Sequence, residues 1–115
     1  VEWVKLRTSF YRDPKVMGLP DAESELLFIR SLAFAGEQET HGFIPEHVLP
    51  ALARKRRYDN SVRALLAQNL WQAGDGGYWI TRWDENQDEL EKLAARRAAD
   101  RERKRKQRAT ERSYE

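Results

Sequence analysis

The stretch DNSVRALLAQNLWQAGDGGYWITRW, residues 59–83, decides how this chain folds. Its first half repeats Val62, Leu65, Leu66 and Leu70 at the three-, four- and seven- to eight-residue spacing of one helical face, which predicts an amphipathic helix capped by Asp59 or Asn60. Its second half changes period. Residues 70–73 and 78–83 are aromatic and β-branched runs flanking Gly74-Asp75-Gly76-Gly77. Two such runs around a glycine-rich turn predict a β-hairpin, with the second strand the stronger.

Toward the N-terminus, Thr40-His41-Gly42-Phe43-Ile44-Pro45 supplies a turn glycine, two apolar residues and a proline suited to a first helical turn. A short strand at 42–44 is predicted there. It feeds a helix from Pro45 or Glu46 to Arg54, with Val48, Leu49 and Leu52 inward and Pro50 interrupting it. Further back, Asp21 caps a helix over 21–36, and Glu23 and Glu25 lie at the positive end of its dipole. Leu26, Leu27, Ile29, Leu32, Ala33 and Phe34 form its apolar face, and Gly36 is the expected left-handed stop. Residues 3–10 read as an extended lead-in, and Asp13-Pro14 opens a short helix through Leu19.

The length of 115 residues is filled by one domain of ordinary size. The absence of cysteine excludes a disulfide framework and thiolate-based metal or redox chemistry. No apolar run approaches the roughly 18 to 20 residues that cross a bilayer, and the first residues lack the apolar stretch of a signal peptide. The expectation is a soluble, cytoplasmic protein with no membrane partner.

Charge is distributed unevenly. Residues 1–83 hold 11 basic and 10 acidic side chains, residues 84–91 hold five acids and no base, and residues 92–112 hold ten bases against three acids. This divides the chain into a domain over 1–83 and a charged C-terminal helix with a basic tail over 84–115. The helix is expected to leave the domain near Glu85 with Leu90, Leu93 and Ala94 as an apolar stripe that ends by Ala99. Beyond Asp100 no hydrophobic anchor occurs up to Ala109, so no long zipper is encoded. Fraying into disorder is predicted there unless a polyanion or a partner holds the helix.

Helix, short strand, helix, helix, strand and strand make an α+β chain, mostly α. Their order matches a winged helix-turn-helix with a β-hairpin wing and a C-terminal basic helix. In that architecture the third helix enters a major groove about 12 Å wide. Opposite its apolar side lie Asn60, Ala64, Ala67 and Gln68, with Arg63 on the flank. Asn and Gln pair with adenine, Arg pairs with guanine, and alanine permits close approach; the same residues also compose ordinary solvated helix faces. Arg54, Lys55, Arg56 and Arg57 stand before this helix, where they can meet phosphates. Tyr58 beside them either stacks or closes the core. The predicted hairpin tip carries no positive charge, so the wing is expected to contribute little to DNA binding.

The run Trp3-Val4-Lys5-Leu6, the Asp13-Pro14-Lys15-Val16 turn, the Gly42-Phe43-Ile44-Pro45 junction, Leu70-Trp71, Tyr78-Trp79-Ile80 and Trp83 resemble the N-terminal domain of phage replisome-organiser proteins. These are similar to the DnaD-like replication-initiation family of bacteria and their phages. The resemblance spans about residues 3–100 and implies a winged-helix domain, DNA binding, self-association in some members, and a role in phage or plasmid replication. The C-terminal helicase-recruiting part of the larger relatives has no counterpart here, and its activity is not carried over.

In the tail, Arg96, Arg97, Arg101, Arg103, Lys104, Arg105, Lys106, Arg108 and Arg112 form the densest positive charge. They suit salt-sensitive attachment to phosphates, or else a solvated terminal helix. His41 and His47 lack the further ligands a metal needs, so no metal site and no cofactor are predicted. Glu37, Glu39 and Glu46 have no nucleophile or phosphate loop beside them, so no enzyme is read. Trp3, Trp71, Trp79 and Trp83 are expected to pack the hairpin onto the first long helix rather than to stack bases.

Two functions follow. The first is a winged-helix protein of phage or bacterial origin that binds double-stranded DNA, as a homodimer on paired half-sites, in replication initiation or its regulation. The second is an interaction module that uses the same fold to capture a host replication or transcription factor, or a transcriptional regulator.

Overall fold

The computed structural model describes residues 2–113; the side chains of Leu90 and of residues 111–113, including Arg112, lie outside the described set. The chain is mostly helical with one small antiparallel sheet. Its elements are α1 (Pro14–Met17), α2 (Ala22–Gln38), β1 (Phe43–Pro45), α3 (Leu49–Ala53), α4 (Asp59–Ala67), β2 (Trp71–Gly74), β3 (Gly77–Ile80) and α5 (Trp83–Ser113).

Helix α2 begins as its sequence dictates. The Asp21 side chain accepts from the Ser24 amide at 2.8 Å and from the Ser24 hydroxyl at 2.7 Å, meeting an amide that the first turn leaves unpaired. Its end differs from expectation. Gly36 is buried inside the helix, and Glu39 adopts the left-handed conformation that closes it. Leu27, Phe28, Leu32 and Ala35 enter the core, whereas Leu26 is 48% exposed and Ala33 is also outside.

The segment after β1 corrects the expected single helix from Pro45 to Arg54. Pro45 is the last residue of the strand, Glu46–Val48 form a 3-10 turn, and α3 starts at Leu49. Pro50 therefore lies in a first turn, where its missing amide costs nothing, and not in a helix interior. Arg54 is left-handed and ends α3. The Arg30 side chain from α2 donates to the Leu52 carbonyl at 2.7 Å, a cation at the negative end of α3.

Helix α4 starts one residue earlier than a cap at Asp59 or Asn60 would require. Both lie within it, and Tyr58 precedes it without a capping side-chain bond. Val62 and Leu65 are buried against α2, and Tyr58 packs partly into the same core. The hairpin is tighter than expected: Gly74 and Gly77 pair with each other inside the strands, and Asp75-Gly76 alone turn the chain. A Cβ on Gly77 would stand 2.2 Å from the Ile44 carbonyl oxygen, so this residue is glycine because β1 approaches it. The second strand ends at Ile80, not Trp83, and the two hairpin strands are equal in length.

Strand β3 lies between β1 and β2, with Phe43 opposite Trp79 and Trp71 opposite Ile80. Trp71 is 1% exposed and its indole N–H donates to the Ser31 hydroxyl on α2, which fixes the sheet against that helix as expected of this tryptophan. Trp3 and Trp79 depart from the expected packing, being 74% and 43% exposed.

Helix α5 begins at Trp83, before the expected Glu85, and continues unbroken past Asp100, where fraying is predicted, to Ser113. Its 31 residues make a rod of about 46 Å and give the molecule a longest extent of 67 Å. The first half lies along residues 4–9: Gln87 bonds the Lys5 backbone, and Arg7 pairs with Glu89 at 2.8 Å. Leu93 and Ala94 are half-buried there, while residues 95–110 are exposed. Among the described residues no helix is long and apolar enough to cross a membrane.

Candidate nucleic-acid interface

Helix α4 turns its apolar residues toward α2, which leaves Asn60, Arg63 and Ala67 exposed and Ala64 half-buried. In the turn before it, Arg56 and Arg57 are exposed. Among the described residues no carboxylate pairs with Arg56, Arg57 or Arg63. Three guanidinium groups and one amide thus project from a single turn-and-helix unit. Each guanidinium presents a planar fork that matches a phosphate or a guanine edge, and the amide matches an adenine edge.

Two of the other residues expected at this surface, Lys55 and Gln68, are engaged within the chain. Gln68 donates from Nε2 to the Gly18 carbonyl at 3.2 Å, so its amide holds the end of α1 against the end of α4. Gly18 lies directly under that amide, and a Cβ there would meet it at 2.6 Å. Lys55 pairs with Glu23 at the start of α2. Arg54 is exposed, but its left-handed backbone serves to end α3. The basic cluster is therefore divided: Arg54, Arg56 and Arg57 are exposed, whereas Lys55 is half-buried and paired with Glu23.

Lys55 also lies near Asp21. Hydrogen bonds from the Ser24 hydroxyl and amide, aided by the charge of Lys55, hold the Asp21 carboxyl below its ordinary pKa of 3.8. The Lys55–Glu23 pair links the turn that carries Arg56 and Arg57 to the capped start of α2.

On α5, Arg96, Arg97, Arg101, Arg103, Lys104, Arg105, Lys106 and Arg108 are all exposed. Arg103 pairs with Asp100, and Arg105 with Glu102 at 3.3 Å, both one turn apart on the same helix. Such exposed pairs are worth at most about 1 kcal/mol and leave the field of the tail positive. The tail and the α4 surface are separate features of the chain, joined through the hairpin and the first half of α5.

The hairpin bears no Lys or Arg between residues 70 and 81, and its tip holds Asp75. Trp79 lies on Phe43 with ring centroids 4.8 Å apart, a tilted aromatic pair on the sheet. His41 is exposed and its Nδ1 lies 3.1 Å from Asp84, so it serves as a surface link between the start of β1 and α5. Among the described residues no group of three or more metal-ligating side chains is assembled.

Sequence reasoning missed α1 as a neighbour of α4. The Asp13-Pro14 start marks that α1 exists, and the Asp13 carboxylate does accept from the Lys15 amide at 2.8 Å. Nothing local specifies that Gly18 and Gln68, fifty positions apart, meet. It also missed a groove of about 690 Å³ between residues 3–5, the end of α2 and the first turns of α5. The exposed Trp3 and the acids at 84–91 are its only sequence signals. Comparisons with protein-family models, with curated proteins and with solved structures give no match to this chain.

Proposed function

We propose that residues 14–80 form a winged helix and that the chain binds double-stranded DNA through α4 and the turn before it. Element order supports this reading, as does a sheet in which the isolated strand β1 pairs with the second hairpin strand. The observation that carries it is the exposure of Asn60, Arg63 and Ala67 on α4 beside the exposed Arg56 and Arg57. In this reading α4 enters the major groove, Arg56 and Arg57 grip phosphates at its entry, and the α5 bases add sequence-independent attachment. Lys55 and Gln68 serve the fold, Arg54 adds a further exposed cation beside Arg56, and the acidic hairpin tip stays away from the DNA. The resemblance over residues 3–100 favours replication initiation or its regulation, in a phage or bacterium, as the process served, with no catalytic step.

Fluorescence anisotropy of a labelled random duplex over rising salt tests this. Binding is expected to weaken along a straight line of log affinity against log salt, and Arg56→Ala with Arg57→Ala should reduce that slope by about 2. Absence of binding by the whole chain at low salt overturns the reading.

A second reading is supported by the base-free hairpin and by Trp79, whose exposure is 43%. An aromatic, uncharged-to-acidic sheet face suits capture of a protein such as a host replication or transcription factor. Loss of a partner on Trp79→Ala, with DNA binding absent, distinguishes it.

A further inference from the structure

The groove bounded by Trp3, Val4 and the first turns of α5 has an uncovered apolar side and an acidic rim. Trp83 and Gly36 line it, Ala94 and Ala95 continue it along α5, and Trp3 stands 74% exposed at its mouth. On the same stripe of α5 lie Asp84, Asp88 and Glu91, spaced four and three residues apart as a helical seam requires. Asp84 meets His41. Among the described residues no cation pairs with Asp88 or Glu91.

The matching surface is on the same helix. Residues 103–110 hold five bases and no acid, and all are exposed. Between the two halves lie Ala94, Ala95, Ala98 and Ala99, whose small side chains let two helix backbones approach closely. The acidic and basic halves of one straight helix cannot meet each other. They can meet those of a second copy.

We propose that the occupant of this groove is the basic half of α5 from a second copy of this chain, in an antiparallel pair centred near Ala98. Two-fold symmetry makes the contact reciprocal, so each copy offers one groove and fills the other. With Ala98 at the centre, Glu91 faces Arg105 of the other copy, and Asp88 on the rim of the seam lies within the positive field of residues 105–108. The bases at 96, 97, 103 and 104 lie off this seam and keep their exposure, so pairing does not depend on whether the chain binds DNA.

Sedimentation of the whole chain at about 100 µM and low salt is expected to give a species of twice 13.5 kDa that dissociates as salt rises. Asp88→Lys with Glu91→Lys should weaken self-association roughly tenfold or more, as should Arg105→Glu with Lys106→Glu and Arg108→Glu. Mixing the two reversed chains should restore a species of the original mass, an outcome that misfolding of either would prevent. The natural chain has no cysteine, so orientation is read directly: a Glu91→Cys chain mixed with an Arg105→Cys chain, the pair that faces across the seam, should cross-link on oxidation. A monomer under these conditions, a dimer indifferent to both reversals, failure of the mixture to associate, or cross-linking of Arg105→Cys only to itself each overturns the proposal.

Discussion

The side-chain amide of Gln87 bonds both polar groups of the Lys5 backbone: the Lys5 amide donates to Oε1 at 3.0 Å, and Nε2 donates to the Lys5 carbonyl at 3.2 Å. A carboxamide carries a donor and an acceptor in the same plane as a peptide group does, so it replaces the neighbouring strand that this extended segment lacks. Together with the Arg7–Glu89 pair, it holds residues 4–7 along α5 and sets where Trp3 stands.

Replacing Gln87 by Ala removes both bonds. Because they are exposed, the expected cost in global stability is about 1 kcal/mol, while the local effect is larger. Hydrogen exchange at the Lys5 amide should accelerate markedly in Gln87→Ala, with exchange in α2 and α4 changed far less. Gln87→Glu keeps an acceptor for the Lys5 amide but sets a carboxylate against the Lys5 carbonyl, so it should fail to restore protection.

A buried relay joins the sheet to α2. The Trp71 indole N–H donates to Ser31 Oγ at 3.3 Å, and the Ser31 hydroxyl donates to the Phe28 carbonyl at 2.6 Å. Ser31→Ala leaves the indole donor without a partner in a site closed to water, a loss of about 1–3 kcal/mol. Urea unfolding followed by tryptophan fluorescence measures it, and Trp71→Phe in the Ser31→Ala background should cost less than the sum of the two single changes.

The contrast between Asp21 and Gly36 explains how much of the fold is legible in the sequence. Asp21 acts through a partner three residues away, so its role as a cap is written locally. The same holds for the turn at Asp75-Gly76 and for the apolar spacing of Val62 and Leu65. Helix ends are different. Glu39, His41, Arg54, Asn69 and Arg82 are all left-handed without being glycine, and each such conformation costs on the order of 1–2 kcal/mol. At Glu39 and Asn69 the next amide closes the helix, Thr40 to the Ala35 carbonyl and Leu70 to the Leu65 carbonyl, so the stop is made by backbone bonds that a rule looking for glycine does not record. At the α4 surface the exposed Asn60 and Arg63 follow from helical spacing alone. The pairing of Lys55 and the engagement of Gln68 depend on Glu23 and Gly18, which are remote in sequence.

The Asp21 cap carries a pH dependence of definite sign. Its carboxyl is held below 3.8 by the Ser24 hydroxyl and amide, so its contribution is complete above that value and is lost as pH falls through the lowered folded pKa. Asp21→Ala is expected to cost about 1 kcal/mol near neutrality. The difference from the parent chain should narrow as the pH drops below 3.8. Asp21→Asn retains an oxygen acceptor at every pH and should remove the dependence while keeping most of the stability. Denaturant midpoints at about pH 7 and pH 3 give the comparison.

Arg63 lies on α4 and Gln68 directly follows it, yet their contacts assign them opposite roles. Arg63 is exposed with no described ion-pair partner, whereas Gln68 spends its amide on the Gly18 carbonyl. If α4 enters a groove, Arg63→Ala should lower DNA affinity by about 1–3 kcal/mol when the arginine reads a base. Its effect on unfolding should stay within about 0.5 kcal/mol. Gln68→Ala should reverse that pattern, lowering stability by about 1 kcal/mol through the lost bond and leaving affinity nearly unchanged. Parallel measurement of melting and of duplex binding on the two variants separates a residue that meets the ligand from one that positions α1. Equal losses of affinity in both would show that the α1–α4 junction itself belongs to the binding surface.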